Sequence, residues 1–223
     1  MTRPLLSLLL ATLLAAAVAP AFAADDDAAL RNELDRAVIA YESGHLETAR
    51  KAFESLARRQ LPAARYNLAV MHLRGEVPKP DRKLARRLLT QAAEGGFVTA
   101  QFMLGHALEN GDLGPRDLAS ALRWYAVAAT AGSVDAQVAM GTAFYLGRGQ
   151  PRDMAQAAQW FREAAKGGDV GAQYLLASLY EHGDGVERDL RLARYWYGVA
   201  AKNGDEAAPG KLKEIDTLLA PGS

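Results

Sequence analysis

A period of 36 residues constrains the fold of this chain more than any other feature. When the sequence is shifted against itself by that distance, an alanine aligns in four successive units, at Ala64, Ala100, Ala136 and Ala172. Further positions of each unit repeat a glycine, an aspartate or a bulky pair. A fixed period of this length is the signature of a solenoid, in which stacked supersecondary units bury one continuous core.

Each unit carries two apolar patterns with helical spacing. In the first half, small or apolar residues recur at i, i+4, i+5 and i+8, as in Ala100, Leu104, Gly105 and Leu108. The second half repeats another stripe, as in Ala121, Trp124, Tyr125, Ala128 and Ala129. Gly111 is expected to end the first helix and Asp117 to be the N-cap of the second. The sequence therefore predicts an all-α fold, an α-solenoid of antiparallel helix pairs.

The charge and cysteine counts exclude several classes of function. The chain has 26 Lys and Arg, 26 Asp and Glu, and no cysteine. Disulfides, cysteine-based zinc sites, cysteine nucleophiles and attachment of a lipid anchor to an N-terminal cysteine are therefore excluded. Because the charges balance, the whole chain creates no long-range field, and we expect neither nucleic acid nor an anionic membrane as a partner.

The first residues are typical of an export signal. Arg3 precedes an apolar run from Leu5 to Val18, and small residues follow at 20–24. We interpret residues 1–23 as a secretory signal peptide, with cleavage after Ala23, because the apolar run is shorter than a membrane-spanning helix. Residues 24–27, which include three aspartates, are predicted to be a disordered mature N-terminus. These expectations place the mature protein in the periplasm.

The repeat boundaries divide the rest of the chain. A helix pair with a shorter loop is expected at 28–62, and four units follow at 63–98, 99–134, 135–170 and 171–205. Residues 206–219 form one amphipathic segment, which predicts a capping helix. Leu212, Ile215 and Leu219 are expected to face the last pair, and Lys211, Lys213 and Glu214 to face water.

The repeated unit resembles a known family. The pattern A-Q-x-x-x-G-x-x-x-x-x-G, followed by P-R-D-x-x-x-A-x-x-W-F/Y-x-x-A-A-x-x-G, is similar to the Sel-1-like repeat family, and the first pair resembles a tetratricopeptide repeat. The first full unit departs from the pattern, with Leu88-Leu89 and the loop Pro78-Lys79-Pro80. The resemblance covers about residues 28–219. It implies a right-handed superhelix that binds other proteins. Bacterial relatives of this type act as exported adaptors in envelope signalling, polysaccharide export or secretion, and the resemblance implies a role of that kind.

The sequence gives little support for catalysis or for a cofactor. The four histidines have no metal-ligand spacing within a helix, so we expect no metal and interpret them as facing solvent or a partner. Some cysteine-rich relatives are associated with β-lactam hydrolysis, but no internal serine is followed by lysine three positions later. We therefore expect no catalytic residues, no cofactor and no enzymatic activity.

A binding surface is predicted from the positions that vary between units. If the repeated alanine is position 0, then +2, +6, +9 and +10 lie away from the core positions of the first helix. In helix-pair solenoids these helices usually line the concave side. We call the predicted partner-binding residues the first-helix face, and they are Tyr66, Arg74, Phe102, His106, Glu109, Asn110, Thr142, Tyr145, Tyr174, Ser178, Glu181 and His182. Two interpretations stay open for the +2 aromatics, which either anchor a ligand or pack on adjacent repeats.

Two other repeated series are interpreted as structural. Trp124, Trp160 and Trp196 are expected to pack in the core, and Gln101, Gln137 and Gln173 to form hydrogen bonds between helices.

The sequence leads to two functional hypotheses. The first is a non-enzymatic periplasmic adaptor that binds a protein segment in its concave groove and regulates or assembles an envelope complex. The alternative is a carbohydrate-facing component of polysaccharide or cell-wall assembly with hydrolytic activity, if Glu109 and Glu181 converge.

Overall fold

The computed structural model describes residues 21–220, and side chains from residue 28 onward. In this part of the chain there are eleven α-helices and no strand. In chain order they are Ala21–Glu42 (α1), Leu46–Arg58 (α2), Pro62–Arg74 (α3), Arg82–Glu94 (α4), Val98–Asn110 (α5), Leu118–Thr130 (α6), Val134–Leu146 (α7), Met154–Lys166 (α8), Val170–His182 (α9), Leu190–Lys202 (α10) and Ala208–Leu219 (α11). The predicted all-α class is confirmed.

Packing follows the order of the helices along the chain. Each helix packs mainly on the helix before it and the helix after it. The loops are short, so consecutive helices run antiparallel. The result is five helix pairs and a final single helix, which confirms the predicted solenoid. The predicted unit boundaries at 63, 99, 135 and 171 lie one residue after the first residues of α3, α5, α7 and α9.

The glycines and aspartates that end and begin the helices have the conformations and contacts that the sequence predicts. Gly111 follows α5 with a φ of 78°, a left-handed conformation that is strained for residues with a Cβ. The Asp117 carboxylate accepts a hydrogen bond of 2.9 Å from the Ser120 amide and so caps α6. Asp81, Asp153 and Asp189 cap α4, α8 and α10 in the same way.

One histidine has a structural role that the sequence did not indicate. His72 is buried, and its Nδ1 accepts a hydrogen bond of 3.2 Å from the Asp81 amide. In the next unit the equivalent amide, that of Asp117, donates instead to the backbone oxygen of Leu108 at 2.9 Å. The interpretation of His72 as facing solvent or a partner is therefore wrong, because its imidazole replaces a backbone acceptor in the atypical loop 75–81.

The core consists of the repeated small and bulky residues. Ala100, Leu104 and Gly105 of α5 are buried, as are Ala121 and Tyr125 of α6. The first helices also bury position +7, which the spacing did not indicate, at Met71, Ala107, Ala143 and Leu179. These helices lie between neighbours on several sides, so their buried surface is wider than one stripe.

The tryptophan and glutamine series have the structural roles predicted for them. Trp124, Trp160 and Trp196 are partly buried and pack against the core clusters. Gln101, Gln137 and Gln173 donate from Nε2 to the backbone oxygens of Ala93, Ala129 and Ala165, over 3.1 to 3.2 Å. Each glutamine thus connects a first helix to the end of the preceding second helix.

The C-terminal helix continues the repeat. Ala208 lies 36 residues after Ala172 and is fully buried, so α11 occupies the place of a fifth first helix. Ile215 is buried and Leu212 is partly buried, as expected. Leu219 is exposed and Lys211 forms an ion pair with Glu181, so these two expectations were wrong. The helix keeps the register of the repeat, which turns Lys211 toward α9.

At the N-terminus, residues 1–20, which contain most of the predicted signal peptide, lie outside the described residues. Residues 24–27 are part of α1 rather than disordered. Alanine, which occupies positions 21, 23 and 24, has the highest helix propensity. Among the helices of residues 21–220, none combines the length and the apolar composition that crossing a membrane requires.

Candidate functional site

The aromatic residues at position +2 of the first-helix face pack within the solenoid. The Tyr66 ring lies 5.2 Å from that of Phe97, between ring centroids. Phe102 is 5.7 Å from Tyr125. Tyr174 meets Tyr197 edge-on at 5.1 Å. All three side chains are only partly buried, so each ring combines a packing role with an exposed edge.

Most of the exposed side chains of the face are at position +10, and His106 adds one at position +6. Arg74, His106, Asn110 and His182 are exposed, whereas Thr142 and Ser178 are half-buried. The Asn110 Nδ2 atom lies 3.1 Å from the Nε2 atom of His106. His182 Nδ1 lies 2.8 Å from the Ser178 backbone oxygen, one helical turn earlier. These residues present polar groups with unused hydrogen-bonding capacity at the surface.

Arg74 belongs to a short polar chain at the start of the face. Its Nη1 donates to the Tyr41 hydroxyl at 2.8 Å, and that hydroxyl donates to Oε2 of Glu76, also at 2.8 Å. Burial and the bond to Glu76 raise the pKa of Tyr41. The guanidinium of Arg74 stays exposed and is held in place by the first helix pair.

Glu109 lies below the surface of the face rather than on it. Its Oε2 accepts a hydrogen bond of 2.7 Å from the Tyr125 hydroxyl, and its Oε1 pairs with Nη1 of Arg148 at 2.8 Å. The Glu109 side chain is 16% exposed and that of Arg148 is 49% exposed. At this point the exposed charge is therefore the Arg148 guanidinium, and the Glu109 carboxylate lies beneath it.

Glu181 repeats this arrangement two units later. Its Oε2 accepts a hydrogen bond of 2.6 Å from the Tyr197 hydroxyl, and its Oε1 lies 3.3 Å from Nζ of Lys211. The carboxylate is again less exposed than the cation, at 13% against 30%. The cation comes from the next structural unit in both cases, so each ion pair joins two neighbouring units.

The two environments shift the ionisation of both carboxyl groups in the same direction. Burial acts to raise the pKa of Glu109, but the hydrogen bonds from Tyr125 and Arg148 outweigh it and lower the pKa. For Glu181, burial is likewise outweighed by Tyr197 and Lys211. Burial and the bond to the carboxylate raise the pKa of Tyr125 and of Tyr197. At neutral pH these glutamates are ionised and the tyrosines neutral.

Tyr145 takes the place of these glutamates in the unit between them. Its ring meets Phe161 edge-on, with 6.3 Å between centroids, and the Arg152 guanidinium lies 5.8 Å from its centre. Arg116 and Arg188 occupy the position of Arg152 in their own units, and each donates to the backbone oxygen of the glutamate. The loop arginine thus reaches the same site in three units.

Arg148 was missed by sequence reasoning, and Leu146, at position +10, was not included among the predicted partner-binding residues. Leu146 is 55% exposed on the last turn of α7. Arg148 stands where the other units have Glu76, Asp112 and Asp184. This change of charge at a repeated position was the signal available in the sequence. Together with Glu109 and Thr142, Arg148 lines a cleft of about 110 Å³ between α5, α6 and α7.

The arrangement favours binding over chemistry. Glu109 and Glu181 are each held within their own part of the array, by different tyrosines and cations, and do not form the carboxylate pair on which the hydrolytic alternative depended. Across residues 28–220 no three His, Asp or Glu side chains are grouped so that they could hold a metal ion. The exposed groups are separate hydrogen-bond donors, acceptors and apolar side chains.

Known proteins share both the sequence repeat and the fold of this chain. The sequence matches the Sel1 repeat over four consecutive segments, residues 62–97, 98–133, 134–169 and 170–205. No curated protein matches the chain. Among solved structures, a protective antigen of uropathogenic Escherichia coli with an SLR fold is 30% identical, with a TM-score of 0.79. A Sel1 repeat protein from Oxalobacter formigenes is 33% identical, with a TM-score of 0.71.

The matched chains are longer than this one. The alignment covers 88% of this chain and 43% of the E. coli antigen, and 76% of this chain and 49% of the Oxalobacter protein. This chain therefore spans less than half the length of either protein. The similarity concerns the stacked helix pairs. It carries no information on what the first-helix face of this chain binds.

Proposed function

The chain belongs to the Sel1 repeat family, and on that premise we propose that it is a non-enzymatic adaptor that holds a segment of a protein partner against its first-helix face. Proteins of this family are generally protein-interaction scaffolds. In this proposal the face lines the concave side of the solenoid, the protein works in the periplasm, and the partner is an envelope or membrane protein whose state or assembly it controls.

The observation that carries the proposal is the contrast between constant buried positions and variable exposed ones. Position 0 is alanine in every unit and is buried. Position +10, at the end of each first helix, is Arg74, Asn110, Leu146 and His182 in turn, and all four are exposed. In a solenoid, side chains that pack no neighbour are available for recognition, and a row of different ones distinguishes one peptide from another.

Site-specific crosslinking in cells tests this assignment. A photo-reactive amino acid is placed at Leu146 or His182, which are exposed on the first-helix face. Matched controls carry it at Arg123 or Gln159, which are exposed on the second helices α6 and α8. We expect a discrete protein adduct from the first pair of positions and none from the second, because the partner lies only along the face.

Two results would contradict the proposal. Equal adducts from the face and the control positions would remove the assignment of the face. An adduct that is destroyed by glycan-degrading enzymes and resists protease would favour the carbohydrate alternative. Leu146→Glu is the best single variant to accompany crosslinking from His182, because Leu146 is exposed and outside the core, whereas Arg74 donates to the Tyr41 hydroxyl. Glu181 is unsuitable, since its carboxylate is bonded to Tyr197.

The proposed compartment has its own test. Protein released from cells by osmotic shock is subjected to N-terminal sequencing. We expect a sequence that begins at Ala24, after removal of residues 1–23. Protein that keeps Met1 and stays with the cytoplasmic fraction would contradict the periplasmic assignment without affecting that of the face.

A further inference from the structure

The start of α4 carries an unusual group of cations. Lys79 precedes the helix, and four of the first six residues of the helix are Arg82, Lys83, Arg86 and Arg87. All five side chains are exposed. None of them has an ion pair with a carboxylate anywhere in residues 28–220. We call these five residues the α4 basic patch.

The contacts of the patch leave most of its charge unneutralised. Arg82 donates to the backbone oxygen of Asp112, and Arg86 donates to that of Leu113 at 3.3 Å. These neutral acceptors hold two guanidinium groups in place along the loop after α5. Of the adjacent carboxylates, that of Asp81 caps α4 and that of Asp112 lies 3.9 Å from His106. Five cations therefore stand beside Asp81 and Asp112, and the carboxylate of Glu54, which lines a pocket with Lys79, is paired with Arg50.

This placement is unfavourable for the helix itself. The N-terminus of a helix carries partial positive charge, so cations in its first turn are repelled, and α4 has no acidic residue there. Arg82 and Arg86, and likewise Lys83 and Arg87, are like charges four positions apart, a spacing that destabilises an isolated helix. Helix stability does not account for the patch, and within residues 28–220 only the side chains of Arg82 and Arg86 have a structural contact, with the loop after α5.

The other units do not share it. At the positions of Lys83 and Arg87, α6 has Ala119 and Arg123, α8 has Ala155 and Gln159, and α10 has Arg191 and Tyr195. The repeat therefore tolerates neutral residues at these positions. The charge balance of the whole chain hides this local excess, because the acidic residues lie in other parts of the array.

We propose that the α4 basic patch docks on a bilayer surface rich in anionic phospholipid. Arginine suits phosphate because its planar guanidinium binds two oxygens at once. The large hydrophobic residues that are exposed in the described part of the chain include none from residues 78–94. A protein interface usually has apolar or aromatic anchors at its centre, whereas contact with headgroups requires only charge. This inference does not depend on the proposed adaptor function.

Vesicle sedimentation of the mature chain tests the proposal. The vesicles are phosphatidylcholine alone or phosphatidylcholine with about one third phosphatidylglycerol. We expect binding only to the anionic vesicles, and its loss in about 0.5 M NaCl, where charges are screened over a few ångströms. The double variant Lys83→Gln and Arg87→Gln should bind about 25-fold more weakly, from the usual contribution of two basic residues near such a surface.

The matched control removes the same charge from the same repeat positions of other units. It is the double variant Arg123→Gln and Arg191→Gln, whose side chains are exposed and form no ion pair with the carboxylates described. We expect it to bind anionic vesicles within about 3-fold of the wild type, since these arginines lie outside the patch. Three results would overturn the proposal: no binding of the wild type at low salt, equal binding to both vesicles, or equal loss in both double variants.

Discussion

Tyr125 donates a hydrogen bond of 2.7 Å to Glu109 across the two helices of one repeat, and Tyr197 makes the same bond to Glu181 over 2.6 Å two repeats later. In the units between and before them, both members of the pair are apolar or aromatic. Leu73 stands with Leu89, and Tyr145 with Phe161. In each repeat this contact is therefore made either by a glutamate and a tyrosine or by two apolar or aromatic residues, so both residues change together.

We predict that this pairing makes a measurable contribution to stability. Tyr125→Phe should lower the free energy of unfolding by about 1.5–3 kcal/mol, the usual cost of removing a hydrogen bond to a charged group. The double variant Tyr125→Phe with Glu109→Leu should lose less free energy of unfolding than the sum of the losses in the two single variants. The reason is that no carboxylate is then left without its donor. Urea denaturation of the four proteins measures the coupling.

Phe161→Tyr is the control for that experiment. It places a hydroxyl beside Tyr145, where the neighbouring units have a glutamate, so the new group is buried without that acceptor. We expect a loss of about 1–3 kcal/mol. If Tyr125→Phe and Phe161→Tyr both leave the urea midpoint unchanged, pairing at this position does not determine stability.

The ionisation of Glu109 gives a pH-dependent prediction. Its pKa is lowered in the folded state, so the stabilisation by its ionised form is complete above the unfolded-state pKa of about 4.3. It is lost as the pH falls through the lower folded-state value. Arg148→Gln should raise the pKa of Glu109, because burial is then opposed only by the hydrogen bond from Tyr125 and by the charge interaction with His106. Carboxyl NMR measures this value directly.

Lys166→Gln is the matched charge control, since Lys166 pairs with Glu163 on the same helix. It should leave the titration of Glu109 unchanged. A Glu109 pKa at or above the usual glutamate value in the wild-type protein would contradict the prediction.

Gln101 leads to a stabilising substitution. Its side-chain Oε1 is buried and has no hydrogen-bond partner among the described residues, whereas Oε1 of Gln173 accepts a bond of 3.0 Å from Asn203. Ala131 occupies the position of Asn203 two units earlier, with nearly the same backbone angles, φ −81° and ψ 4° against −91° and 9°. Ala131→Asn should therefore raise the free energy of unfolding by about 0.5–1.5 kcal/mol, measured by urea denaturation.

The same substitution one unit later should fail. Gly167→Asn is aimed at Gln137, whose Oε1 also lacks a partner in the described structure. A Cβ at Gly167 would lie 2.5 Å from Cγ2 of Val134, so the helices must separate. We expect Gly167→Asn to destabilise the protein. A loss of stability in Ala131→Asn as well would show that the Asn203 geometry is not transferable.

The sequence predicts the architecture well because the repeat averages out local ambiguity. One Asp117 is weak evidence for an N-cap, but four aspartates at the same position define the start of the second helix in each of the four repeats, and all four cap a helix in the structure. The glutamine series was predicted correctly for the same reason. Residues that recur in register make the same contact in each unit.

Positions that vary between units were harder to predict. Glu109 and Glu181 were expected at the binding surface because their helix position points away from the core. The structure shows both beneath it, because tyrosines on the next helix and cations from the next unit reach them. Such contacts depend on how units stack, and helical periodicity within one unit does not contain that information. His72 was misinterpreted for a different reason, because its hydrogen bond is with the Asp81 amide in the atypical loop of its own unit.

The last prediction concerns the close approach of two helices at Gly105. A Cβ there would lie 2.8 Å from the Tyr125 ring, the ring that carries the hydroxyl bonded to Glu109. Gly105→Ala should therefore destabilise the protein by about 1–3 kcal/mol from overpacking, although alanine favours helix. Gly198, inside α10, has no atom within 4 Å of the equivalent Cβ position, so Gly198→Ala should stabilise by about 0.5–1 kcal/mol. Urea denaturation of both variants distinguishes steric exclusion from helix propensity, because propensity alone would make both proteins more stable.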